Sequence, residues 1–190
     1  MEKLVEMGKI SYIGVSNFSR QQLEKARNTL KKEDIVSNQV KYNLLERDVE
    51  RDLLPYSERE GVTILAYSPL AQGLLAGKYT REQRPRDLIR KVNILFDSMN
   101  IERVEPVLTS LRRIAEVKGV SPAQIALSWL ITREPVSAIV GVKNAMQAVE
   151  AAAAADTMLS QDEYGELDRL SKAVRLSRWS YLRILGRIMR

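Results

Sequence analysis

The chain contains no histidine and no cysteine. Without cysteine there are no disulfides, no thiolate nucleophile and no thiolate-held metal. Without histidine, the commonest general acid–base group and the commonest metal ligand are missing as well. Any proton transfer must then fall to a carboxylate, a tyrosine or a lysine, and no metal site is expected. There is also no run of about eighteen apolar residues, so no membrane-spanning helix is expected. The opening segment MEKLVEMGK mixes charges with apolar residues, unlike a signal peptide. These absences fit a cytoplasmic protein.

What is present suits one domain of ordinary size. The 190 residues are 45% hydrophobic, enough for a sizeable core, and 28% charged. The net charge of +6 suits an anionic partner. At this size such a balance more often serves solubility, and no nucleic-acid partner is expected.

Along the chain, residues 1–7 read as the end of a helix stopped by Gly8. Four apolar runs have strand length: 10–15, 36–42, 62–67 and 136–142. Helical periodicity marks about 46–60, 102–118, 122–133, 145–155 and 161–173. Another helix opens at Ser19, where Ser19 and Gln22 have capping-box spacing, as do Ser160 and Glu163. Residues 71–100 form a long excursion rich in turn residues and arginines, read as a functional loop or lid. The strands are near-continuous apolar runs that alternate with helices. That pattern calls for a parallel sheet covered on both faces, either an open doubly wound sheet or a segment of a barrel.

In such folds chemistry gathers at the carboxyl ends of the strands. There the sequence places Ser16-Asn17, then Gln39 with Tyr42-Asn43, then Tyr67-Ser68-Pro69-Leu70, and finally Gly141-Val142-Lys143-Asn144. These amides, hydroxyls, one aromatic face and one cation suit a polar heteroaromatic ring and a phosphate. A helix N-terminus following Gly141 and Lys143 would favour an anion. The same residues also read as a simple cap, with Asn144 and Gln147 at capping-box spacing. Ser16-Asn17 equally reads as a turn, and Tyr67 as core packing. Arg81, Arg84, Arg86 and Arg90 either clamp a phosphate or form a solvated, charge-rich loop.

Five segments in order, GKISYIGVSNFS (8–19), SNQVKYNLLER (37–47), GVTILAYSPLAQGLLAGKY (61–79), GVSPAQIALSWLI (119–131) and AIVGVKNAMQAVE (138–150), resemble the aldo-keto reductases. The likeness runs from about residue 1 to 172. The long loop, with RPRD and LF-x-x-x-N, looks like the bacterial and potassium-channel-β-like branch. The resemblance implies an α/β fold, a parallel βα barrel of TIM type that binds NADP(H), of which residues 1–173 match the C-terminal half, about four strands. It implies that Ser16, Asn17 and Gln39 hold the nicotinamide carboxamide and that Tyr67 stacks on its ring. It places Ser68, Leu70, Gln72, Gly73 and Lys78 at the pyrophosphate; Arg84, from the arginine-rich loop, is taken as a further cofactor-binding residue. Gly141 and Lys143 match the region of the adenosine 2′-phosphate, and Gln147 and Glu150 lie near the adenine. Where the family usually follows that Glu with Asn, this chain has Ala151.

The family's catalytic Asp, Tyr, Lys and His belong to the other half of the barrel, so no catalytic residue is assigned here. The expected role is therefore the NADP(H)-binding half of an oxidoreductase acting on aldehydes or ketones, inactive alone. The alternative is a non-catalytic nucleotide-binding or regulatory module. Half a barrel would leave strands 10–15 and 136–142 as unpaired edges. These call for a complementing N-terminal half or a homodimer, unless the chain folds poorly; self-association is the expectation. Residues 174–190 form a basic amphipathic tail, with Trp179, Leu182, Leu185 and Ile188 near one helical face. It suits an anionic membrane surface or packing over the barrel or a dimer interface; the packing role is preferred and no membrane partner is expected.

Overall fold

In the computed structural model, the described residues are 1–79, 83, 85 and 93–177. They divide into two compact units, residues 1–69 with 130–141, and residues 70–129 with the chain from 142 onward.

The first unit holds the sheet. Helix α1 (Glu2–Glu6) leads to β1 (Ile13–Ser16), α2 (Arg20–Thr29), β2 (Ile35–Lys41), α3 (Leu53–Glu60), β3 (Thr63–Tyr67) and, later in the chain, β4 (Val136–Ile139). The strands lie in the order β1-β2-β3-β4, every pair parallel. Register brings Ser16 beside Gln39, Gln39 beside Leu65 and Leu65 beside Ser137. One residue further up, Val40, Ala66 and Ala138 align, and above them Lys41, Tyr67 and Ile139.

The expectation of strands covered on both faces is met on one face only. Ile13, Ile35, Asn38, Val40, Ile64, Ala66 and Val136 are buried. The alternate positions, among them Gly14, Ser16, Gln39, Lys41, Tyr67 and Ser137, are half-buried or exposed. The strands read as unbroken apolar runs because Val36 and Ile139 carry apolar side chains while remaining about 40% exposed. β1 and β2 approach closely at Gly14, where a Cβ would meet the Ser37 Oγ at 2.6 Å; a larger residue there requires the Ser37 hydroxyl to turn away.

Polar contacts fasten the helices around the sheet. One carboxylate oxygen of Glu2 accepts the backbone N–H groups of Lys31 and Lys32 at 2.6 and 2.7 Å. Those charge-assisted bonds hold the Glu2 carboxyl below its usual range. Arg27 of α2 donates to both Asp34 oxygens (2.7 and 2.6 Å), to Glu60 of α3 (3.2 Å) and to the hydroxyl of buried Tyr56 (3.3 Å). The Arg27 bonds hold the Asp34 carboxyl low against its partial burial.

The second unit is helical. α4 (Ser98–Lys118) starts at an Asp97 cap, earlier than periodicity implies, because the Asp97 side chain accepts from the Met99 N–H. It buries Ile101, Val104, Leu108, Leu111 and Ile114 along one stripe. α7 (Gln161–Ala173) carries the capping box at Ser160 and Glu163 that the sequence predicts. It packs on α4, where Ser110 and Arg113 both donate to Glu166 (2.8 and 2.6 Å). α5 (Pro122–Ile131) begins with a reciprocal Ser121–Gln124 pair, and its Trp129 stacks on Tyr164. α6 (Ala145–Ala152) buries no residue at all. Among the described residues no helix is long and apolar enough to cross a membrane.

Candidate functional site

The carboxyl ends of β1, β2 and β3 gather a compact set of groups in the first unit. The backbone N–H of Asn17 donates to the carbonyl of Gln39 at 2.8 Å, and Ser16 Oγ donates to the same carbonyl at 3.1 Å. Asn17 then turns with φ of 57°, a left-handed conformation that asparagine tolerates. Its side chain receives the Tyr67 hydroxyl at 3.2 Å and donates to Ser16 Oγ at 3.3 Å. Ser16, Asn17 and Tyr67 are thus drawn together although Tyr67 is remote in sequence. Gln39 stands in the register row of Ser16, half-buried, and its side-chain amide has no hydrogen-bond partner among the described residues.

Buried amides brace these ends. Asn38, fully buried, donates to the Phe18 carbonyl at 2.8 Å and accepts its N–H at 3.4 Å, fixing the turn out of β1. Asn43 accepts from the N–H groups of Leu45 and Glu46 (2.9 and 3.0 Å) and donates to the Glu46 carboxylate (2.9 Å) and the Ser68 carbonyl (3.0 Å). Next to it, buried Tyr42 donates to Glu50 at 2.6 Å, and Arg47 donates to both oxygens of the same carboxylate. Burial, followed by the neighbouring Glu50 charge, pushes the Tyr42 hydroxyl well above its ordinary range. Its hydroxyl is committed to Glu50 inside the core.

The other sequence-predicted residues fall in different places. Ser68, of the first unit, has φ of 54°. In the second unit, Leu70 accepts the N–H groups of Gly73 and Leu75. Ala71 and Gln72 have φ of 47° and 56°, followed by Gly73 at 96°. Three consecutive left-handed residues, two of them not glycine, make a costly turn of the kind that clusters at binding sites. Lys78 is exposed. At the start of α6, Asn144 caps the helix by accepting the Gln147 N–H at 2.9 Å, while Gln147 Oε1 accepts the Lys143 N–H at 2.9 Å. Capping is therefore present there, with Gln147 reaching one residue beyond the reciprocal box. Gly141 and Lys143 are exposed and Glu150 half-exposed. Arg84 lies outside the described residues, as do Arg81, Arg86, Arg90 and residues 178–190 of the tail.

The family model for the aldo/keto reductase family matches residues 1–172. The chain belongs to that family. It is 43% identical to a Mycobacterium tuberculosis protein described as an uncharacterized oxidoreductase, over 92% of this chain and 54% of the relative. Among solved structures, the glycerol dehydrogenase of Gluconobacter oxydans superposes with a TM-score of 0.82 at 31% identity, over 92% of this chain and 53% of that one. An aldo/keto reductase from Klebsiella pneumoniae, solved in complex with NADP and acetate, superposes with a TM-score of 0.68 at 32% identity, over 90% and 52%. The chain spans about half the length of the curated relatives it matches.

Within this aldo/keto reductase chain, sequence reasoning reached the exposed groups at the strand ends. It overlooked Asn38 and named Asn43 only as one polar group among several. The signal available was an amide inside an apolar run, a position where a buried polar group must be satisfied.

Proposed function

We propose that the chain is the NADP(H)-holding portion of an aldo-keto-reductase-type oxidoreductase acting on aldehydes or ketones, and that its residues form the C-terminal half of a (βα)8 barrel. The observation that carries this reading is the cluster of Ser16, Asn17, Gln39 and Tyr67. Its donor set fits the group: two amides and a hydroxyl suit a carboxamide, one amide is unengaged, and an aromatic ring stands beside them. The Klebsiella relative, bound to NADP, supports the same cofactor.

In this reading the nicotinamide, when bound, supplies or accepts the hydride. Ser16, Asn17 and Gln39 orient the carboxamide, and Tyr67 offers a face to the ring. Ser68, Leu70, Gln72, Gly73 and Lys78 serve the pyrophosphate with Arg84, while Gly141, Lys143, Gln147 and Glu150 serve the adenosine end. The Tyr67 hydroxyl donates to Asn17 and the Tyr42 hydroxyl is buried and donates to Glu50, so neither is placed to serve as the acid for a carbonyl oxygen. Turnover then requires groups from a complementing N-terminal half. A non-catalytic nucleotide-binding module is the second reading, favoured by the complete lack of histidine.

Titration of the chain with NADPH by fluorescence, alone and with the N-terminal half of a relative, tests both. Binding in either arm is expected, and carbonyl-dependent NADPH oxidation only with the added half. Binding without turnover in the complemented sample selects the non-catalytic module. Absence of binding in both arms overturns both readings.

A further inference from the structure

The strand ends that carry the proposed nicotinamide site are held by a residue that does not itself face that site. Asn43 is fully buried and uses its side chain completely: two acceptor bonds to Leu45 and Glu46 N–H, two donor bonds to Glu46 and to the Ser68 carbonyl. The acceptor pair closes the turn after β2. The donor to Ser68 crosses to the end of β3 and grips the Ser68–Pro69 peptide, one residue beyond Tyr67. Ser68 sits at φ of 54°, a left-handed conformation that costs a serine free energy and persists only when its surroundings impose it. The Tyr42 N–H reaches the Tyr67 carbonyl at 3.4 Å, a weaker second hold on the same segment. At its far end, the Tyr67 hydroxyl is tied to Asn17.

We propose that Asn43 is the positioning residue of the nicotinamide platform: its Nδ2 bond to the Ser68 carbonyl imposes the left-handed bend after β3 and thereby sets the Tyr67 ring. This rests on the reading of Tyr67 as the face that receives the nicotinamide. The tether spans two strand ends, so the loop after β2 controls a ring that belongs to β3. The surrounding ionic cluster serves the same end. Glu46, which takes the other Asn43 donor, is also paired with Lys41 at 3.3 Å.

Asn43→Asp separates the two functions of the side chain. It keeps the acceptor for Leu45 and Glu46 but loses both donors and sets a carboxylate against the Ser68 carbonyl. Two readouts apply: the Kd for NADPH and the emission of bound NADPH at saturation. We expect Asn43→Asp to weaken NADPH about tenfold and to move the bound emission toward that of free NADPH. An unchanged Kd overturns the proposal. So does a weakened Kd with bound emission identical to the parent, which is the mark of a merely structural role.

Should Asn43→Asp fail to fold, Ser68→Val compared with Ser68→Ala reports the same device from the other end. Both lose the hydroxyl, but valine resists positive φ more strongly. A weaker NADPH affinity and shifted emission for Val relative to Ala are expected; equality overturns the proposal. A parent chain that binds no NADPH, alone or complemented, defeats the cofactor reading itself, a result distinct from any difference among the variants.

Discussion

Gln39 and Asn38 are neighbours in β2 and point to opposite faces, and their fates differ accordingly. Asn38 is buried and doubly bonded to Phe18. Gln39 is half-buried and its amide is unengaged within the described chain. An unengaged amide contributes nothing to folding that a similarly sized apolar side chain would not, so Gln39→Leu is expected to leave the unfolding free energy within about 0.5 kcal/mol of the parent. If Gln39 holds the carboxamide, the same change weakens NADPH by about tenfold, the worth of one hydrogen bond to a ligand. Paired denaturation and titration check the two halves of this expectation. The two asparagines mark the limit of what sequence showed at this scale. Ser16, Asn17 and Tyr67 were legible because they follow apolar runs where function collects. Asn38 and Asn43 were not, because a buried amide has meaning only through its partners, and Phe18 and Ser68 are distant in the chain.

At the scale of elements, carboxylates do much of the fastening. Glu163 at the cap of α7 is lifted by burial but pulled below its ordinary value by the Ser160 N–H and by Lys118. Glu166 is held low by the Ser110 hydroxyl and by Arg113. A carboxyl whose pKa is lower in the folded state stabilises that state above its unfolded value and loses the contribution as pH falls through the folded value. The ordinary value here is 4.5. Stability is therefore expected to be level above about pH 5 and to decline below pH 4.5, with Glu166→Gln flattening part of that decline in denaturation curves. Helix caps were the most legible elements: Ser19, Ser160 and Asn144 begin helices where spacing implied, since a cap is a local contract among four residues. Boundaries slipped where a non-apolar residue set them, as at Asp97, and where the helix over 46–60 resolves into a 3₁₀ turn at Asp48–Arg51 followed by α3.

For the whole molecule, unsatisfied surface is the issue. Within the described residues β1 and β4 each pair on one side only, and one sheet face is open. α6 buries nothing, leaving Met146 and Val149 exposed at 80% and 71%. Met1 and Met7 flank α1 at 62% and 55% exposure. Open parallel edges and apolar helices invite partners. Self-association is expected of the isolated chain, measured by light scattering at micromolar concentration, and addition of an N-terminal half-barrel is expected to compete it away. A monodisperse monomer would refute this. The sequence conveyed the parallel sheet through its alternating strand and helix pattern. It did not convey the open face, because hydrophobicity alone does not record which side of a strand is covered.

The narrow approach between β1 and β2 has a consequence for inheritance. A side chain at Gly14 would meet the Ser37 hydroxyl, so the hydroxyl must turn away, or position 37 become alanine, before position 14 gains a Cβ. Bulk at position 14 is thus conditional on what stands at position 37. Two sites far apart in the gene are therefore coupled, and the order of substitution matters: a change at 37 opens the way for one at 14.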